Sequence, residues 1–195
     1  MLFETSIADY IARTSSDTQT PGGGAVLAVV ASEGAALVLM QASFSKKEME
    51  KCEQVLDSSI KLKKLAEDLK KLPDEDMSAF EELMKNLKTN RSKLRKEKLQ
   101  ECYKNCAEVP LGLMEKSLMA METALPIISN GNPNLKSDGI IGIELLHTSI
   151  KLSRLNAEVN LKYIKDRAYV ENKENEIKDI QTKAAEIIKQ LQAQN

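Results

Sequence analysis

Three consecutive glycines form the first group of residues that could bind a ligand. They lie in the run Thr20-Pro21-Gly22-Gly23-Gly24-Ala25 and are three of only eight glycines in the chain. Fixing such a run costs conformational entropy on folding, so it indicates that a ligand or a neighbouring backbone approaches closely here. The alternative is a flexible hinge between two helices. The small-residue helix predicted to follow the run favours a close approach.

A second group of polar residues lies in and after the loop at residues 130–138. Its asparagines and proline predict a rigid turn, and either Asn134 or Ser137 is expected to cap a helix with Asp138 in its first turn. At about 100° per residue, one narrow face of that helix collects small and polar side chains. They are Asp138, Gly142, Leu145, Ser149, Ser153, Asn156 and Asn160. Buried amides and hydroxyls need partners, so this face predicts a polar cleft, a polar helix interface or a bound ligand.

The cysteines and the single histidine do not form a pattern typical of a metal site. Cys52, Cys102 and Cys106 are an odd number in a chain without an export signal, which indicates reduced thiols rather than disulfides. Cys102 and Cys106 share a helical face, but no second pair of ligands lies nearby in the sequence. We therefore predict no metal. His147 lies off the polar face and is expected to serve packing or the surface.

Helices must position these residues, because the composition is typical of an all-α protein. Aromatic residues make up 4% of the chain and tryptophan is absent. No alternating pattern of β-branched residues indicates a strand. We predict a helical bundle of long antiparallel helices. The 195 residues are enough to bury one core, so a single domain is expected over residues 1–195.

The first two predicted helices flank the glycine run. A short helix begins at Ser6, with Asp9 as its capping partner. The apolar residues that this helix is expected to bury are Ile7, Tyr10 and Ile11. The second helix, at about residues 24–44, carries Glu33 as its single charge and is therefore expected to be central. Its small residues form a ridge for close packing by another helix or for a dimer seam. The ridge consists of Gly24, Ala28, Ala31, Ala35 and Ala42.

The later helices are predicted from amphipathic spacing and from prolines. A third helix is expected over about residues 46–72, where Pro73 ends it, and a fourth begins near Asp74. Further along, Pro110 is expected to kink or break a helix, since proline lacks the backbone N–H that a helix interior uses. A last amphipathic helix is predicted at about residues 170–192 and completes the bundle.

The charge balance excludes a protein that attracts nucleic acid or membranes through its overall field. Lysine and arginine total 28 against 29 aspartates and glutamates, which gives a net charge of −1. The basic stretch at residues 85–98 is expected to be a solvated surface. No run of eighteen apolar residues is present, and the first residues lack the basic and hydrophobic segments of a signal peptide. We therefore expect a cytoplasmic protein without nucleic-acid or membrane partners.

Five short motifs are spaced along most of the chain, from about Ile7 to Asp166. They are Pro21-Gly22-Gly23-Gly24, Asp76 with Ala79-Phe80, Glu108-Val109-Pro110-Leu111, Gly131-Asn132-Pro133-Asn134 followed by Ser137-Asp138, and Asn156 with Asn160-Leu161. In this order and spacing they resemble the cyclodeaminase/cyclohydrolase family of folate enzymes. That family includes the C-terminal domain of formiminotransferase-cyclodeaminase and stand-alone methenyltetrahydrofolate cyclohydrolases.

The resemblance implies an all-helical homodimer that binds a tetrahydrofolate derivative in a cleft near the subunit interface. Members of the family either convert 5-formiminotetrahydrofolate to the 5,10-methenyl compound with release of ammonia, or hydrolyse the methenyl compound to 10-formyltetrahydrofolate. Neither reaction uses a redox cofactor or an obligatory metal, so no cofactor is expected here. A separate formiminotransferase would be the partner that supplies a formimino substrate.

The resemblance also assigns roles to individual residues. Both reactions pass through a cationic amidinium carbon and a tetrahedral centre, so the site needs a carboxylate and orienting donors. We expect Asp138 to be the acid/base or electrostatic residue and Asp76 to support it or contact the pterin. The residues expected to position the substrate are Pro21, Gly22, Gly23, Gly24, Ser43, Asn132, Asn134, Asn156 and Asn160. Lys46 and Lys47 are expected to bind the glutamate tail of the folate.

The chain departs from the family pattern at two places. Ala25 stands where the family often has serine, and the segment Ser43-Phe44-Ser45-Lys46-Lys47 replaces a longer loop with an aromatic residue. Two other functions are compatible with the same residues. One is a non-catalytic helical interaction protein, whose polar face is a hydrogen-bond network between helices, and the other is a different small-molecule enzyme on this scaffold. The sequence does not choose between cyclodeaminase and cyclohydrolase.

Overall fold

The computed structural model of the chain describes residues 1–49, 52–88 and 93–193. Residues 50–51 of the predicted third helix and residues 89–92 of the basic stretch lie outside the described residues. Within that description there are eight α-helices and no β-strand, which confirms the predicted all-α class. The helices are α1 (Ile7–Thr14), α2 (Gly23–Ser43), α3 (Lys46–Met49), α4 (Glu53–Leu69), α5 (Leu72–Leu87), α6 (Lys93–Asn130), α7 (Lys136–Leu161) and α8 (Arg167–Ala193). Short 3-10 turns occur at Leu2–Glu4 and Pro133–Leu135.

Helices α2 and α7 pack against each other in opposite directions. Near the middle of the contact, a Cβ atom added at Gly34 would lie 2.6 Å from the carbonyl oxygen of Gly142, and one added at Gly142 would lie 2.5 Å from that of Gly34. The two backbones therefore touch, which requires glycine at both positions. Ser149, further along α7, reaches the carbonyl of Leu27 near the start of α2. The small residues of the predicted ridge thus pack within the chain. Its buried alanines are Ala28, Ala31, Ala35 and Ala42.

Helices α4, α5, α6 and α8 complete the bundle around this pair. The largest fully buried apolar side chains are Leu62, Leu69, Leu111, Leu113, Met114, Met121, Ile127, Ile143, Leu146 and Ile150. By length and composition alone, α2 is long and apolar enough to cross a membrane. Here it lies in the middle of the bundle, in contact with α4, α5, α6 and α7. This is the central position predicted from its near lack of charge.

Helix α1 begins as predicted but does not bury the residues expected. Ser6 caps it, because its Oγ accepts the N–H of Asp9 at 3.0 Å and donates to the Asp9 carboxylate at 2.6 Å. However, Ile7 is 78% exposed and Ile11 is 59% exposed, while Tyr10 is half-buried. The predicted burial was wrong, because this short helix lies outside the bundle of longer helices and none of its residues is buried.

Several helix boundaries differ from those predicted. Helix α4 ends at Leu69, before Pro73, which lies instead in the first turn of α5, where a missing N–H leaves no bond unmade. Pro110 does not break α6, which continues through both Pro110 and Pro126. Helix α8 begins at Arg167 rather than near residue 170. Neither Pro73 nor Pro110 therefore ends a helix in this structure.

The start of α7 uses neither of the predicted caps. The 3-10 turn Pro133–Leu135 leads directly into the helix, and the residue at the cap position makes no side-chain hydrogen bond. Asn132 caps the 3-10 turn instead, because its Oδ1 accepts the N–H of Asn134 at 3.0 Å. Neither Asn134 nor Ser137 therefore caps α7. Asp138 does lie in the first turn of the helix, as predicted.

Candidate functional site

A cavity of about 210 Å³ lies at the N-terminus of α2, where α5, α6 and α7 meet it. Its wall is lined by Gln19, Thr20, Gly22, Gly23, Gly24, Asp76, Phe80, Cys106, Asn156, Val159 and Asn160. The cavity therefore brings together three of the five sequence motifs: the glycine run, the motif that begins at Asp76, and the two asparagines of α7. We refer to it as the glycine cavity.

Asp76 projects from α5 onto the backbone of the glycine run. A Cβ atom added at Gly24 would lie 2.5 Å from Cγ of Asp76 and 2.7 Å from its Oδ2. A Cβ atom added at Gly23 would lie 3.8 Å from the side-chain amide of Asn156, which is an ordinary contact. Of these two positions, Gly24 is the one that has no room for a side chain, because the carboxyl group of Asp76 occupies the space.

The glycine run forms the start of α2 rather than a flexible hinge. The helix begins at Gly23, and the carbonyl of Gly22 accepts the N–H of Val26 at 3.0 Å. The first N–H groups of a helix have no carbonyl partner within it, and they lie at the positive end of the helix dipole. Pro21 is buried just before the run and is joined to Thr20 by a cis peptide bond. Backbone N–H donors thus lie beside the carboxyl group in the cavity.

The environment of Asp76 favours proton exchange and a cationic ligand. Burial raises the pKa of Asp76 above the usual range of an aspartate, and a hydrogen bond from the backbone N–H of Ala25 acts in the opposite direction. Among the described residues, no cationic side chain contributes to this pKa. The carboxylate is therefore a stronger base than an exposed aspartate, and no cationic side chain of the described residues neutralises its charge. A ligand that carries positive charge would supply one.

Asn156 and Asn160 face the cavity from consecutive turns of α7. The Nδ2 of Asn160 donates to the backbone carbonyls of Cys106 at 3.1 Å and of Asn156 at 2.9 Å. The side-chain amide of Asn156 has no hydrogen-bond partner in the described part of the chain, and it lies beside Gly23. One amide is thus held by the protein, and the other is available to a ligand.

Cys106 lies in the cavity wall as a neutral thiol. Its Sγ donates to the carbonyl oxygen of Ala79 at 3.3 Å, and burial raises the pKa of the thiol to about 12. A thiol with this pKa is not a nucleophile at neutral pH. Cys106 also packs with Cys102 and Leu83 in a small apolar cluster between α5 and α6. Both cysteines are free, as predicted, and both are buried.

Most of the other predicted substrate-binding residues line a separate groove of about 590 Å³ near the C-terminus of α2. This lysine groove is lined by Ser43, Phe44, Lys46, Lys47, Asn132, Pro133 and Asn134. The side chain of Asn132 is engaged in shaping it: Nδ2 donates to the carbonyl of Phe44 at 3.0 Å, and Oδ1 caps the following turn. Lys46 and Lys47 are exposed and supply the positive charge of the groove.

Two residues that the sequence analysis did not single out hold the loop of the lysine groove. Gln41 is fully buried in α2, and its Nε2 donates to the carbonyl of Asn132 at 3.3 Å. Ser45 donates its Oγ to the carbonyl of Gln41 at 2.6 Å and accepts the N–H of Asn132 at 2.7 Å. A glutamine within an otherwise apolar helix is the signal in the sequence that could have identified this contact.

The glycine cavity and the lysine groove lie at opposite ends of α2. This helix has 21 residues, so the two sites are about 30 Å apart. Asp138 belongs to the groove end, because its neighbour Gly139 packs against Gln41, and α7 places it about 27 Å from Asn156. The expectation that Asp138 and Asp76 act together in one cleft is therefore not met within a single chain.

The polar face of α7 is chiefly a helix interface. The Oγ of Ser149 donates to the carbonyl of Leu27 at 3.1 Å, and Ser153 is fully buried on the same face. Only the end of the face, at Asn156 and Asn160, reaches the glycine cavity. A polar helix interface thus accounts for most of this face, and a polar cavity accounts for its last turns.

The ionisable side chains that line the glycine cavity are Asp76 and Cys106. In the part of the chain that the structure describes, no group of three or more histidine, cysteine or acidic residues is arranged to hold a metal ion. His147 does not line the cavity, and its Nδ1 lies 3.8 Å from a carboxylate oxygen of Glu144. Proton transfer in the cavity would therefore fall to Asp76.

Comparisons with known proteins agree on one family. A family model described as formiminotransferase-cyclodeaminase matches residues 6–179. The methenyltetrahydrofolate cyclohydrolase of Methylorubrum extorquens is 28% identical over 191 residues, covering 92% of this chain and 90% of that protein. The formimidoyltransferase-cyclodeaminase of Dictyostelium discoideum is 28% identical over 97% of this chain, but the chain spans only 36% of that protein. The crystal structure of formiminotetrahydrofolate cyclodeaminase from Thermotoga maritima superposes with a TM-score of 0.81 at 25% identity, covering 98% of this chain and 99% of that one.

Proposed function

The chain belongs to the formiminotransferase-cyclodeaminase family, and on this basis we propose that it is an enzyme acting on a one-carbon adduct of tetrahydrofolate. Its relatives are named for two such activities, cyclohydrolase and cyclodeaminase. The observation that carries the proposal is the half-buried Asp76 carboxyl group, which faces a cavity at the glycine run and has no cationic partner among the described side chains. Both substrates place an amidinium cation at the reacting carbon, which such a carboxylate would attract.

In the hydrolytic reaction, water adds to the carbon that joins N5 and N10 of the methenyl compound. The bond from this carbon to N5 then breaks and leaves the 10-formyl product. Both protons of the water leave its oxygen: one is transferred to N5 and the other is released. Asp76 would accept the proton from the water that is then transferred to N5, because its raised pKa makes it a stronger base than an exposed aspartate. The negative charge of its carboxylate would also stabilise the cationic carbon.

In the ring-closing reaction, N10 attacks the carbon of the formimino group on N5. In its protonated form the formimino nitrogen carries two hydrogens, so transfer of the N10 proton to it lets it leave as ammonia, and the cationic methenyl bridge remains. This reaction shares its cationic carbon and its tetrahedral centre with the hydrolysis. Asp76 would therefore carry the transferred proton in the same way, and one cavity would suit either reaction.

The remaining groups of the cavity would orient the folate. The bare backbone of Gly22 and Gly23 lets a flat pterin ring lie close to the N–H groups at the start of α2. The free side-chain amide of Asn156 can both donate and accept a hydrogen bond at the ring edge. These contacts hold the one-carbon unit beside Asp76, and fixed positioning is a large part of the catalysis expected of such a site.

We also propose that two copies of the chain pair through an exposed apolar stripe on α7. Five large side chains at helical spacing are between 39% and 58% exposed along one side of this helix and its end, a pattern typical of packing against another helix. The stripe consists of Ile141, Leu152, Leu155, Val159 and Tyr163. Val159 also lines the glycine cavity, so a second copy would cover the edge of the cavity.

A two-fold pairing with antiparallel α7 helices would unite the two separate sites. Helix α7 begins at the lysine groove and ends at the glycine cavity, so this pairing brings the groove of one copy towards the cavity of the other. Lys46 and Lys47 would then bind the glutamate tail of a folate held in the partner's cavity. Asp138 would approach the same cavity across the interface. This arrangement would give the predicted residues a common site.

The experiment that tests the proposed function follows the absorbance band of methenyltetrahydrofolate. The protein is added separately to 5-formiminotetrahydrofolate and to 5,10-methenyltetrahydrofolate under conditions where spontaneous hydrolysis is slow. Gain of the band from the first substrate establishes cyclodeaminase activity, and faster loss of the band from the second establishes cyclohydrolase activity. No change with either substrate, in a protein shown to be folded, would refute the proposal and favour a helical binding protein. A separate formiminotransferase would supply substrate to the first activity.

A further inference from the structure

Pro110 lies in the middle of α6, yet the helix continues through it from Lys93 to Asn130. In an α-helix the N–H of each residue donates to the carbonyl four residues earlier. Proline has no N–H, so the carbonyl of Cys106 loses its partner within the helix. Cys106 is buried in the wall of the glycine cavity, where an unpaired carbonyl is costly. Another donor is therefore needed at this point.

Asn160 supplies that donor from α7. Its Nδ2 donates to the carbonyl of Cys106 at 3.1 Å and to the carbonyl of Asn156 at 2.9 Å. A side-chain amide has two N–H donors on its nitrogen, and both are used by these carbonyls. The orientation of the amide is thus fixed, because turning it over would bring its oxygen against two carbonyl oxygens. The Oδ1 of Asn160 has no partner within the described residues, and Asn160 lines the cavity.

We propose that Pro110 is a positioning residue for the glycine cavity. Because Pro110 has no N–H, the carbonyl of Cys106 is free to accept a hydrogen bond from Nδ2 of Asn160. This bond orients the side-chain amide so that its Oδ1 can accept a hydrogen bond from the ligand. The ligand group at this point must then be an N–H or O–H donor. For a folate the matching groups are the N–H donors of the pterin ring, and this identification alone rests on the proposed function.

A second proline in the same helix provides the matched control. Pro126 also lies inside α6, and four residues before it the carbonyl belongs to Glu122. No side chain in the described part of the chain donates to that carbonyl, and neither residue lines the glycine cavity. Pro126→Ala therefore makes the same change of backbone chemistry without touching the amide of Asn160.

The test compares Pro110→Ala with Pro126→Ala in the full chain. The alanine at position 110 restores an N–H that competes for the Cys106 carbonyl, so the side-chain amide of Asn160 is released. In NMR spectra, the Asn160 side-chain NH₂ signals, identified by their loss in Asn160→Ala, are expected to shift and to exchange faster with solvent in Pro110→Ala only. Unchanged Asn160 signals in Pro110→Ala would overturn the proposal, whether or not the protein acts on folate.

Kinetics provide the second measurement. Loss of one oriented acceptor is expected to lower kcat/KM about tenfold in Pro110→Ala, while its thermal stability is kept or raised and Pro126→Ala retains full activity. Added to Asn160→Ala, the Pro110→Ala change is expected to cause no further loss. If Pro110→Ala lowers kcat/KM by the same factor in the wild type and in Asn160→Ala, Pro110 acts on the helix and not through Asn160.

If Pro110→Ala does not fold, Asn160→Asp replaces it. This variant keeps the shape of the side chain but removes both N–H donors, and full activity in it would overturn the proposal.

Discussion

The carboxyl group of Asp76 occupies the space that a side chain at position 24 would fill. A Cβ atom added at Gly24 would lie 2.5 Å from Cγ of Asp76, closer than two such atoms approach without a shift of the structure. Two motifs that are far apart in the sequence, the glycine run and the acidic residue of α5, thus form one unit. Position 24 requires glycine because the carboxyl group of Asp76 lies against the N-terminus of α2.

The variant Gly24→Ala is expected to displace Asp76 and to reduce activity. The added methyl group must push the carboxyl group out of its place, and misplacement of a reacting group by about 1 Å can lower the rate about 100-fold. The measurement is kcat/KM for the active folate substrate, with the fold checked by circular dichroism. An activity close to that of the wild type would show that the position of Asp76 is not critical.

Gly112→Ala is the control for this prediction. A Cβ atom at Gly112 would meet only the Nζ of Lys116, at 3.7 Å, so the same substitution finds room in the middle of α6. Alanine is favoured over glycine inside a helix by up to about 1 kcal/mol, so this variant is expected to raise the thermal stability and to keep full activity.

The class of fold and the inside of the bundle could be predicted because local composition determines them. Helix α2 carries Glu33 as its single charge, and the alanines of its ridge leave room for another helix, so its central position follows from the sequence. The burial predicted for α1 was wrong because it also relied on local composition alone. Ile7 and Ile11 give the helix an apolar face, but the sequence pattern does not show what covers that face. Here the bundle does not cover it.

The grouping of the site residues could not be predicted, because it depends on how α2 and α7 run relative to each other. The polar face of α7 collects Asp138 and Asn156 on one side of the helix, about 27 Å apart, but does not show which residues of other helices lie at each end. Only the antiparallel contact, with Gly34 against Gly142, shows that these two residues lie at opposite ends of α2. The role of Pro110 could not be predicted either, because it depends on which side chain of a neighbouring helix donates to the carbonyl of Cys106. In the structure this side chain is Asn160.

The variant Asp76→Asn is expected to lower turnover by about 10² to 10⁴, which is the usual contribution of a general acid or base. Asparagine keeps the shape of the side chain and its contact with Gly24 but cannot accept a proton at neutral pH. The measurement is kcat, since an unchanged KM would separate the loss of chemistry from a loss of binding. Near-normal turnover in Asp76→Asn would remove Asp76 from the mechanism, and Asp138→Asn then tests the other carboxylate.

The same variant is expected to change how stability depends on pH. The pKa of Asp76 in the folded protein is raised by burial, so folding favours the protonated form. Its stabilising contribution is complete below the unfolded pKa of about 4 and is lost as the pH rises through the folded pKa. The free energy of unfolding of Asp76→Asn, relative to that of the wild type, is therefore expected to increase as the pH rises from about 4 through the folded pKa of Asp76. Urea titrations at several pH values measure this, and a difference that falls with pH would contradict it.

Leu155→Glu is expected to separate the proposed homodimer. Leu155 is 50% exposed in the middle of the α7 stripe, and two buried glutamates at a two-fold interface would repel each other and lose hydration. Sedimentation velocity should then show a monomer. Ile60→Glu is the matched control, because Ile60 is an apolar residue of α4 that is 62% exposed and lies outside the stripe. A wild-type protein that sediments as a monomer would refute the pairing at once.

Mixing two inactive or weakened subunits tests whether the lysine groove serves the partner's cavity. Lys46→Ala with Lys47→Ala is expected to raise KM for a polyglutamylated folate, because both lysines are exposed cations suited to its carboxylates. In a heterodimer of this double variant with Asp76→Asn, antiparallel pairing leaves one cavity in which both Asp76 and the opposing lysines are intact. Part of the activity should then return with the wild-type KM when the two variants are unfolded and refolded together. If the lysines serve the cavity of their own chain, every cavity in the heterodimer carries one defect, and no activity with the wild-type KM would appear.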